Sequence, residues 1–304
     1  RVHSSFHQAG HWEEQDSDSP EGTETGRLSS SGPNLQNITH HGDTERPYVA
    51  QWGQSIRRAF IAPAGKLLVR ADIGQEEPRI AAALSGDTNL NNRLDSGDIY
   101  IPVASLAFGE PVLKEDKERR QVGKRIFLEW LYGGQTFDGP APWLSKSDRL
   151  AICRALEADY PQLAAYRQAV IAKLRSHGYV ESYFGRRRAF PLMQLTQGTV
   201  KYAGLQRDIE ANIRAALNMP IQATAADVLK IAMVRVDKAL TAIDSRGIIV
   251  LTVHDEIVVE CMADKALSVA KLCSHMTDDI LPIKLPVEVS IGPNWADQLP
   301  FEGV

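Results

Sequence analysis

The chain has 304 residues, of which 43% are apolar and 24% are charged, and its formal net charge is −4. This length allows two packed units, and the apolar fraction is ordinary for a globular protein. No run of about 18 or more apolar residues is present, which excludes a transmembrane helix, and the small net charge gives no global sign of a polyanionic partner.

The first predicted element is an exposed, mobile loop at residues 11–24. This stretch is acidic, poor in apolar side chains and interrupted by Pro20 and Gly22, and such a composition does not support a packed core. The residues before it contain no apolar stretch of the signal-peptide type. Because the chain begins with Arg1 rather than methionine, we expect a fragment or a processed product.

A buried strand and a long helical region follow. The apolar run from Lys66 to Val69 predicts a strand that ends near Asp72. Helical periodicity then dominates from about residue 75 to about residue 240. We expect breaks in this region where glycine and proline cluster, at Gly133–Gly134, 139–142 and 185–191.

Strands return in the last part of the chain. Apolar residues predict strands at Ile248–Val253 and Ile257–Cys261, joined by a short polar turn at His254–Glu256. A last strand is predicted at Leu285–Ile291. Strands therefore lie at both ends of the sequence with a largely helical block between them, which predicts an α+β fold whose sheet is interrupted by a helical insertion.

Cysteine usage and charge distribution add two expectations. The three cysteines have neither CxxC spacing nor an even count, so we expect buried thiols in a reducing compartment at Cys153, Cys261 and Cys273. Basic residues are concentrated at Arg57–Arg58, Lys114–Arg125 and Arg186–Arg188. Each of these clusters, taken alone, is more typical of a solvated surface than of a binding site.

Two aspartates stand at the ends of predicted strands. Asp255 lies in a turn that lacks the glycine of ordinary tight hairpins, although a plain hairpin with solvated acids is an equally good interpretation. Asp72 ends the first strand, where acids near a helix start also have a capping explanation. If the two strands are adjacent, the carboxylates can hold divalent cations, which prefer oxygen ligands. Two such ions about 4 Å apart stabilise the attacking and leaving oxygens of phosphoryl transfer.

A third pattern lies in a predicted helix at 118–133. Side chains spaced four residues apart form one stripe along it, namely Arg120, Lys124, Leu128 and Tyr132. Two cations followed by an apolar residue and an aromatic ring suit a nucleoside triphosphate that lies along the helix, with its phosphates at the cations. The alternative is a surface helix whose basic side chains extend into solvent.

Seven segments in chain order carry a resemblance to a known family. They are Thr25–Ile38 (TGRLSSSGPNLQNI), Ile56–Ile61 (IRRAFI), Asp72–Arg79 (DIGQEEPR, motif A), Arg120–Gly133 (motif B), Gly178–Arg188 (GYVESYFGRRR), Arg214–Asp227 (RAALNMPIQATAAD) and His254–Glu256 (HDE, motif C). Together they resemble family A (Pol I-like) DNA polymerases over nearly the whole chain. One short motif is weak evidence, whereas seven in order are specific.

The resemblance implies a right-hand polymerase fold of the α+β class, with an antiparallel palm sheet interrupted by a helical fingers insertion. It assigns residues 1–90 to the first part of the palm, with the loop at 11–24 as an insertion, 91–225 to the fingers, and 226–304 to the second part of the palm. In the family, the thumb and the 3′→5′ exonuclease region precede the matching segments, so we expect most of the thumb to lie outside this chain.

Site residues follow from the same resemblance. It implies two Mg²⁺ ions, with Mn²⁺ as an alternative, held by Asp72, Asp255 and the main-chain carbonyl of Ile73. It places the incoming nucleotide at Gln75, Glu77, Arg120, Lys124, Leu128 and Tyr132, with Glu77 excluding ribonucleotides. Asp72, Asp255, Arg120 and Lys124 are the implied catalytic residues. Contacts to primer–template DNA are implied for Arg27, Asn34, Gln36, Arg214, Asn218, Gln222 and His254.

The implied function is DNA-directed DNA synthesis by transfer of a deoxynucleotidyl group from a dNTP to a primer 3′-OH. We expect a monomer in the cytoplasm of a bacterial or phage-infected cell, bound to primer–template DNA, and the sequence leaves any processivity factor open. Departures from the family pattern at Ile73–Gly74 and Glu76 keep open the alternative of a nucleic-acid-binding remnant without catalysis. A further alternative is a single-subunit RNA polymerase, which shares the palm layout, although Glu77 and His254–Glu256 disfavour it.

Overall fold

The fold is described from a computed structural model, in which the described residues are 2–8, 23–38, 47–196, 205–243 and 245–302. Most of the predicted mobile loop, at 11–22, lies outside these residues. The chain divides into two compact units. The first, here called the sheet unit, comprises Arg1–Glu76 and Ala225–Val304, and the second, the helical unit, comprises Glu77–Thr224.

Strands and helices are both well represented, as the sequence predicted. The strands are β1 (Ser5–His7), β2 (Ser29–Ser31), β3 (Lys66–Ile73), β4 (Tyr179–Glu181), β5 (Arg187–Ala189), β6 (Ile248–Val253), β7 (Glu256–Met262), β8 (Val287–Gly292) and β9 (Leu299–Pro300). The helices are α1 (Pro47–Arg58), α2 (Glu76–Ser85), α3 (Thr88–Ser96), α4 (Tyr100–Phe108), α5 (Lys117–Leu131), α6 (Lys146–Asp159), α7 (Pro161–His177), α8 (Pro191–Thr196), α9 (Gln206–Ala242) and α10 (Ala266–Ser274).

The sheet unit is built on a five-stranded antiparallel sheet with the order β6-β7-β3-β8-β9. Its central strand, β3, alternates as a strand with one buried face should: Val69, Ala71 and Ile73 are fully buried, whereas Arg70 and Asp72 lie on the opposite face. Helix α10 packs against β3 and β8. The sheet therefore holds Asp72 on a strand that is paired on both sides.

The helical unit packs around α5. The buried face of this helix carries Ile126, Phe127 and Trp130, and the ring of Phe127 makes edge contacts with Tyr100 and Tyr160. Strands β4 and β5 form a separate hairpin in this unit. The sequence predicted only a break at 185–191 there, because strands of three residues are too short for a readable period.

The first boundary between the units lies earlier than the sequence-based domain boundary at 90/91. Helix α2 belongs to the helical unit from Glu77 onwards. Its residue Arg79 is buried, donates to the carboxylate of Asp95 at 2.9 Å and donates to the carbonyl of Leu94 at 2.8 Å. These contacts join α2 to α3, and no local sequence signal indicates them. The second boundary, between Thr224 and Ala225, lies within α9.

Two further expectations concern the thiols and the membrane. All three cysteines are buried and free, as predicted. In the part of the chain that the structure describes, no helix is long and apolar enough to cross a bilayer.

The close approach of α4 and α5 depends on Gly123. A Cβ atom at this position would lie 2.2 Å from the carbonyl oxygen of Tyr100 and 2.8 Å from the amide nitrogen of Ala104. We predict that Gly123→Ala lowers the free energy of unfolding by about 1–3 kcal/mol, because overpacking outweighs the better helix propensity of alanine. Urea denaturation measures the change.

Gly139→Ala is the matched control, because a Cβ atom at Gly139 would meet no atom within 4 Å. A Gly123→Ala protein as stable as the Gly139→Ala protein would show that α4 and α5 separate at little cost.

Candidate active site

The sheet brings Asp72 and Asp255 together. Asp72 lies at the end of β3, and Asp255 lies in the turn between β6 and β7, after His254 in the left-handed region with φ 57°. The amide of Ile73 donates to the carbonyl oxygen of Asp255 at 3.2 Å, which fixes the turn to the end of β3. The strands that carry or flank the two aspartates are adjacent, since β3 and β7 are paired along their lengths.

Charge around Asp72 is strongly negative. The antiparallel register places Glu256 opposite Asp72 on one side and Glu288 opposite it on the other. The pKa of Asp72 is raised to about 7, first by burial and then by the neighbouring carboxylates of Asp255 and Glu256, whereas Arg70 opposes the shift. Mutually repelling carboxylates at a strand end are an arrangement that a bound cation stabilises.

Glu256, the third residue of motif C, is held inside the protein. The residue is only 5% exposed, and its side chain accepts a hydrogen bond from the indole nitrogen of Trp295 at 2.8 Å. Its other carboxylate oxygen lies 3.1 Å from Nε of Arg70, and Nη2 of Arg70 lies 4.0 Å from Asp72. Burial raises the pKa of Glu256, against the influence of Arg70 and Trp295. Glu256 therefore holds the guanidinium of Arg70 near Asp72.

Arg57 is buried against Trp295, the hydrogen-bond partner of Glu256, which corrects the expectation of a solvated cluster at Arg57–Arg58. Arg57 is 3% exposed, its guanidinium lies 4.0 Å from the ring centroid of Trp295, and its Nη2 donates to the carbonyl of Ile38 at 2.8 Å. Burial lowers its pKa. Arg58, in contrast, is exposed and pairs with Asp297 at the surface.

Asp72 and Asp255 fit a hard divalent cation. No group of three or more His, Cys, Asp or Glu side chains in the described ranges is arranged to hold a metal ion. A magnesium site that is completed by substrate needs only one or two carboxylates, because phosphate oxygens and water supply the other ligands. The two aspartates, with the raised pKa of Asp72, meet that requirement.

The predicted stripe lies along α5 and its end at Tyr132. Its four members are half-buried, namely Arg120, Lys124, Leu128 and Tyr132. Arg120 pairs with the carboxylate of Asp98, which also accepts from the amide of Tyr100 at 2.8 Å. The Arg120 guanidinium and the Lys124 ammonium lie 5.2 and 6.0 Å from the ring centroid of Tyr100. Asp98 and Tyr100 could not be identified from the sequence, because nothing in their spacing connects them with α5.

Glu77 is fixed by two hydrogen bonds in the helical unit. The hydroxyl of Tyr132 donates to one carboxylate oxygen at 2.6 Å, and the side-chain amide of Gln222 donates to the other. Gln222 also lies 3.3 Å from the Tyr132 hydroxyl. These three residues thus form a single polar cluster, although the resemblance implies a different contact for each: the sugar for Glu77, the nucleotide for Tyr132 and the DNA for Gln222.

A cavity of about 810 Å³ adjoins Tyr132 in the same unit. Its lining includes Arg188 and two of the predicted DNA contacts, Arg214 and Asn218. These two residues and Gln222 are spaced four apart on α9, so they share one face of that helix.

The remaining predicted DNA contacts lie in the sheet unit. Arg27, Gln36 and His254 line one small cavity together with Lys230, whose ammonium donates to the carbonyl of Gly26 at 2.7 Å. Asn34 does not line this cavity; its side chain accepts from the amide of Gln36 and caps a short turn. Gln75, in the same unit, has φ 52° and a side-chain oxygen that is buried without a hydrogen-bond partner.

Comparison with known proteins decides the family. The sequence profile described as DNA polymerase family A matches residues 1–297. The chain belongs to DNA polymerase family A.

Relatives within family A cover almost the whole chain. DNA polymerase I of Chloroflexus aurantiacus is 36% identical in an alignment of 307 positions that covers 99% of this chain and 29% of that protein. The thermostable DNA polymerase I of Thermus aquaticus is 38% identical over 277 residues, which are 90% of this chain and 31% of that protein. This chain therefore spans less than a third of the length of these relatives.

A solved family A structure has the same fold. It is described as the POL domain of Pol1 from M. smegmatis in complex with DNA primer-template and dNTP. It matches with a TM-score of 0.80 and 31% identity, over 97% of this chain and 48% of that chain.

The raised pKa of Asp72 leads to a pH dependence of stability. Its pKa in the folded protein, about 7, lies above the ordinary value of 3.8, so the folded state binds more protons than the unfolded state between these values. Raising the pH through this window without metal therefore lowers the free energy of unfolding. We predict that Asp72→Asn removes this contribution, as measured by urea denaturation in EDTA at several pH values. Equal pH profiles for the two proteins would contradict the prediction.

The hydrogen bond from Trp295 to Glu256 has a direct test. Trp295→Phe keeps an aromatic ring for Arg57 and removes the donor, so a buried carboxylate oxygen loses its partner. We predict a loss of about 1–3 kcal/mol in the free energy of unfolding, measured with urea.

Trp143→Phe is the matched control for this change, because Trp143 is 55% exposed and its indole nitrogen lies 3.5 Å from the carbonyl of Ala107. We expect this control to change stability by less than about 0.5 kcal/mol. Equal effects of the two substitutions would show that the Glu256 hydrogen bond contributes nothing.

Proposed function

We propose that this chain catalyses template-directed DNA synthesis, in which a deoxynucleotidyl group passes from a dNTP to a primer 3′-OH. The observation that carries the proposal is the pairing of β3 with β7, which holds Asp72 beside Asp255. Membership of family A supports it, as does the similarity to a polymerase domain described in complex with primer-template and dNTP.

In this proposal Asp72, Asp255 and the carbonyl of Ile73 hold two Mg²⁺ ions, or Mn²⁺. When bound, these ions supply Lewis-acid stabilisation of the attacking and leaving oxygens. The primer 3′-hydroxyl loses its proton, its oxygen bonds to the α-phosphorus, and the bond to the β-phosphate oxygen breaks to release pyrophosphate. The protein contributes mainly by positioning and by stabilising charge.

Arg120 and Lys124 bind the triphosphate in this proposal. Both are half-buried on one stripe of α5, which reduces the screening of their charges by water. Arg120 is paired with Asp98, so binding a phosphate means sharing or exchanging this partner. Lys124 then stabilises the negative charge that develops on pyrophosphate.

Glu77 selects the sugar by its fixed position. Its two hydrogen bonds, from Tyr132 and Gln222, keep the carboxylate from turning aside. A 2′-hydroxyl that met this carboxylate would either clash with it or require it to lose these partners. This favours a DNA polymerase over the RNA polymerase alternative, and comparison of dNTP with rNTP incorporation distinguishes the two.

We further propose that the sheet unit is the palm and that the helical unit is the fingers. The DNA contacts then comprise Arg27, Asn34, Gln36, Arg214, Asn218, Gln222 and His254, with Lys230 added from the small cavity that it lines with three of them. The cytoplasmic location and the monomeric state remain predictions.

Primer extension tests the proposal. With the chain in excess over a primer–template at low salt and with Mg²⁺, we predict addition of the complementary dNTP. Asp72→Asn and Asp255→Asn should each slow this single turnover by about a thousandfold or more, because each removes a ligand for the catalytic ions.

Asp264→Asn is the control, because Asp264 is an exposed acid in the same unit. It should extend primers at the rate of the unchanged protein. Extension by the Asp255→Asn protein at the control rate, or no extension by the unchanged chain with either Mg²⁺ or Mn²⁺, would refute the proposed function.

A further inference from the structure

The β4–β5 hairpin presents two aromatic rings to solvent. Tyr183 is 48% exposed and Phe184 is 41% exposed, and their ring centroids lie 5.1 Å apart in an edge arrangement. Contiguous exposed apolar groups rimmed by polar residues often mark an interaction site. No role has been assigned to this tip by the proposed chemistry.

Hydrogen bonds fix the backbone of the hairpin tip that carries the two exposed rings. The amide of Ser182 donates to the carbonyl of Arg186 at 2.9 Å, and the amide of Gly185, at φ 83°, donates to the carbonyl of Ser182 at 3.0 Å. The amide of Tyr183 donates to the hydroxyl of Thr224 at 3.0 Å. Thr224 lies in α9 two residues after Gln222, so the tip is anchored close in sequence to a predicted DNA contact. The exposure of the rings is therefore part of the folded hairpin.

The surroundings of the tip are basic in an otherwise acidic chain. The segment 173–190 contains Lys173, Arg175, Arg186, Arg187 and Arg188, and its one acid is Glu181. Glu181 is shared between Lys173 and Arg187, so one carboxylate faces two of these cations. The surplus of positive charge is complementary to a phosphate backbone.

The same hairpin also reaches the 810 Å³ cavity. Arg188, on β5, lines that cavity with Tyr132, Arg214 and Asn218. Arg188 is four residues from Phe184, so the two lie at most about 13 Å apart along the backbone. A strand of nucleic acid that leaves the cavity along the hairpin would meet the two aromatic rings within a few nucleotides.

We propose that Tyr183 and Phe184 form a stacking platform for unpaired bases of the template strand, ahead of the base pair that is being made. Aromatic rings flanked by cations bind single-stranded nucleic acid without sequence preference, because every base has a face that can stack. The occupant is therefore single-stranded DNA of any sequence. This inference rests on the proposed function for its choice of strand.

Fluorescence anisotropy with the full chain tests the platform. Two primer–templates share the same duplex and differ only in a template overhang of about 1 or about 8 nucleotides, at one fixed salt concentration. The unchanged protein should bind the long overhang more tightly. A protein with both Tyr183→Ala and Phe184→Ala should lose about fivefold or more in affinity for the long overhang, and less than about twofold for the short one.

A protein with both Tyr183→Phe and Phe184→Tyr is the matched control, because it keeps two rings at the tip. It should retain the preference for the long overhang. An unaltered preference in the double-alanine protein would overturn the platform. Equal weakening on both substrates would also overturn it, since the surface would then bind duplex.

Primer extension on the short-overhang template separates this inference from the proposed function. The double-alanine protein should extend that primer at the rate of the unchanged protein. If the chain binds overhangs through the tip but does not extend primers, the proposed function fails and the single-strand surface stands. If it extends primers and shows no preference for overhang length, the platform fails alone.

Discussion

The antiparallel register of β3 with β7 is the constraint on which the candidate site depends. It places Glu256 directly opposite Asp72, and the turn that precedes β7 then places Asp255 at the same end of the sheet. A slip of one residue would turn Asp72 towards the buried face that Ala71 and Ile73 now occupy. That face is fully apolar, so the register that suits the core is also the register that gathers the carboxylates. The repulsion between them is offset in part by Arg70, which lies against Glu256, and Trp295 in turn donates to Glu256.

The sequence was sufficient wherever the relevant pattern is local. The strands that end at Asp72 and flank Asp255 follow from runs of apolar residues, and the α5 stripe follows from a four-residue spacing. The environment of Glu256 could not be found this way, because Trp295 is 39 positions away and joins it only through the folded sheet. The pairing of Arg120 with Asp98 is similar, since the two residues belong to different local segments.

The role of Arg70 could be predicted from the sequence only in part. Residues two apart on a strand share a face, so the sequence alone places Arg70 beside Asp72 once β3 is predicted. What the sequence could not provide is the distance of 4.0 Å between the two charged groups, which exceeds a direct hydrogen bond. Arg70 therefore moderates the charge of Asp72 and leaves its oxygens available to other ligands.

The contact at Gly123 has a mechanical consequence. The absence of a side chain lets α5 lie against the backbone of α4, and the cations of α5 converge on Asp98 and Tyr100 at the start of α4. Two helices that are joined through both backbone contact and ion pairing are expected to move together as one rigid body. A displacement of α5 must carry α4 with it, so the pivot for such a movement has to lie outside Tyr100–Leu131. Any such displacement would involve more than one helix and would keep Arg120 and Lys124 aligned with Tyr100.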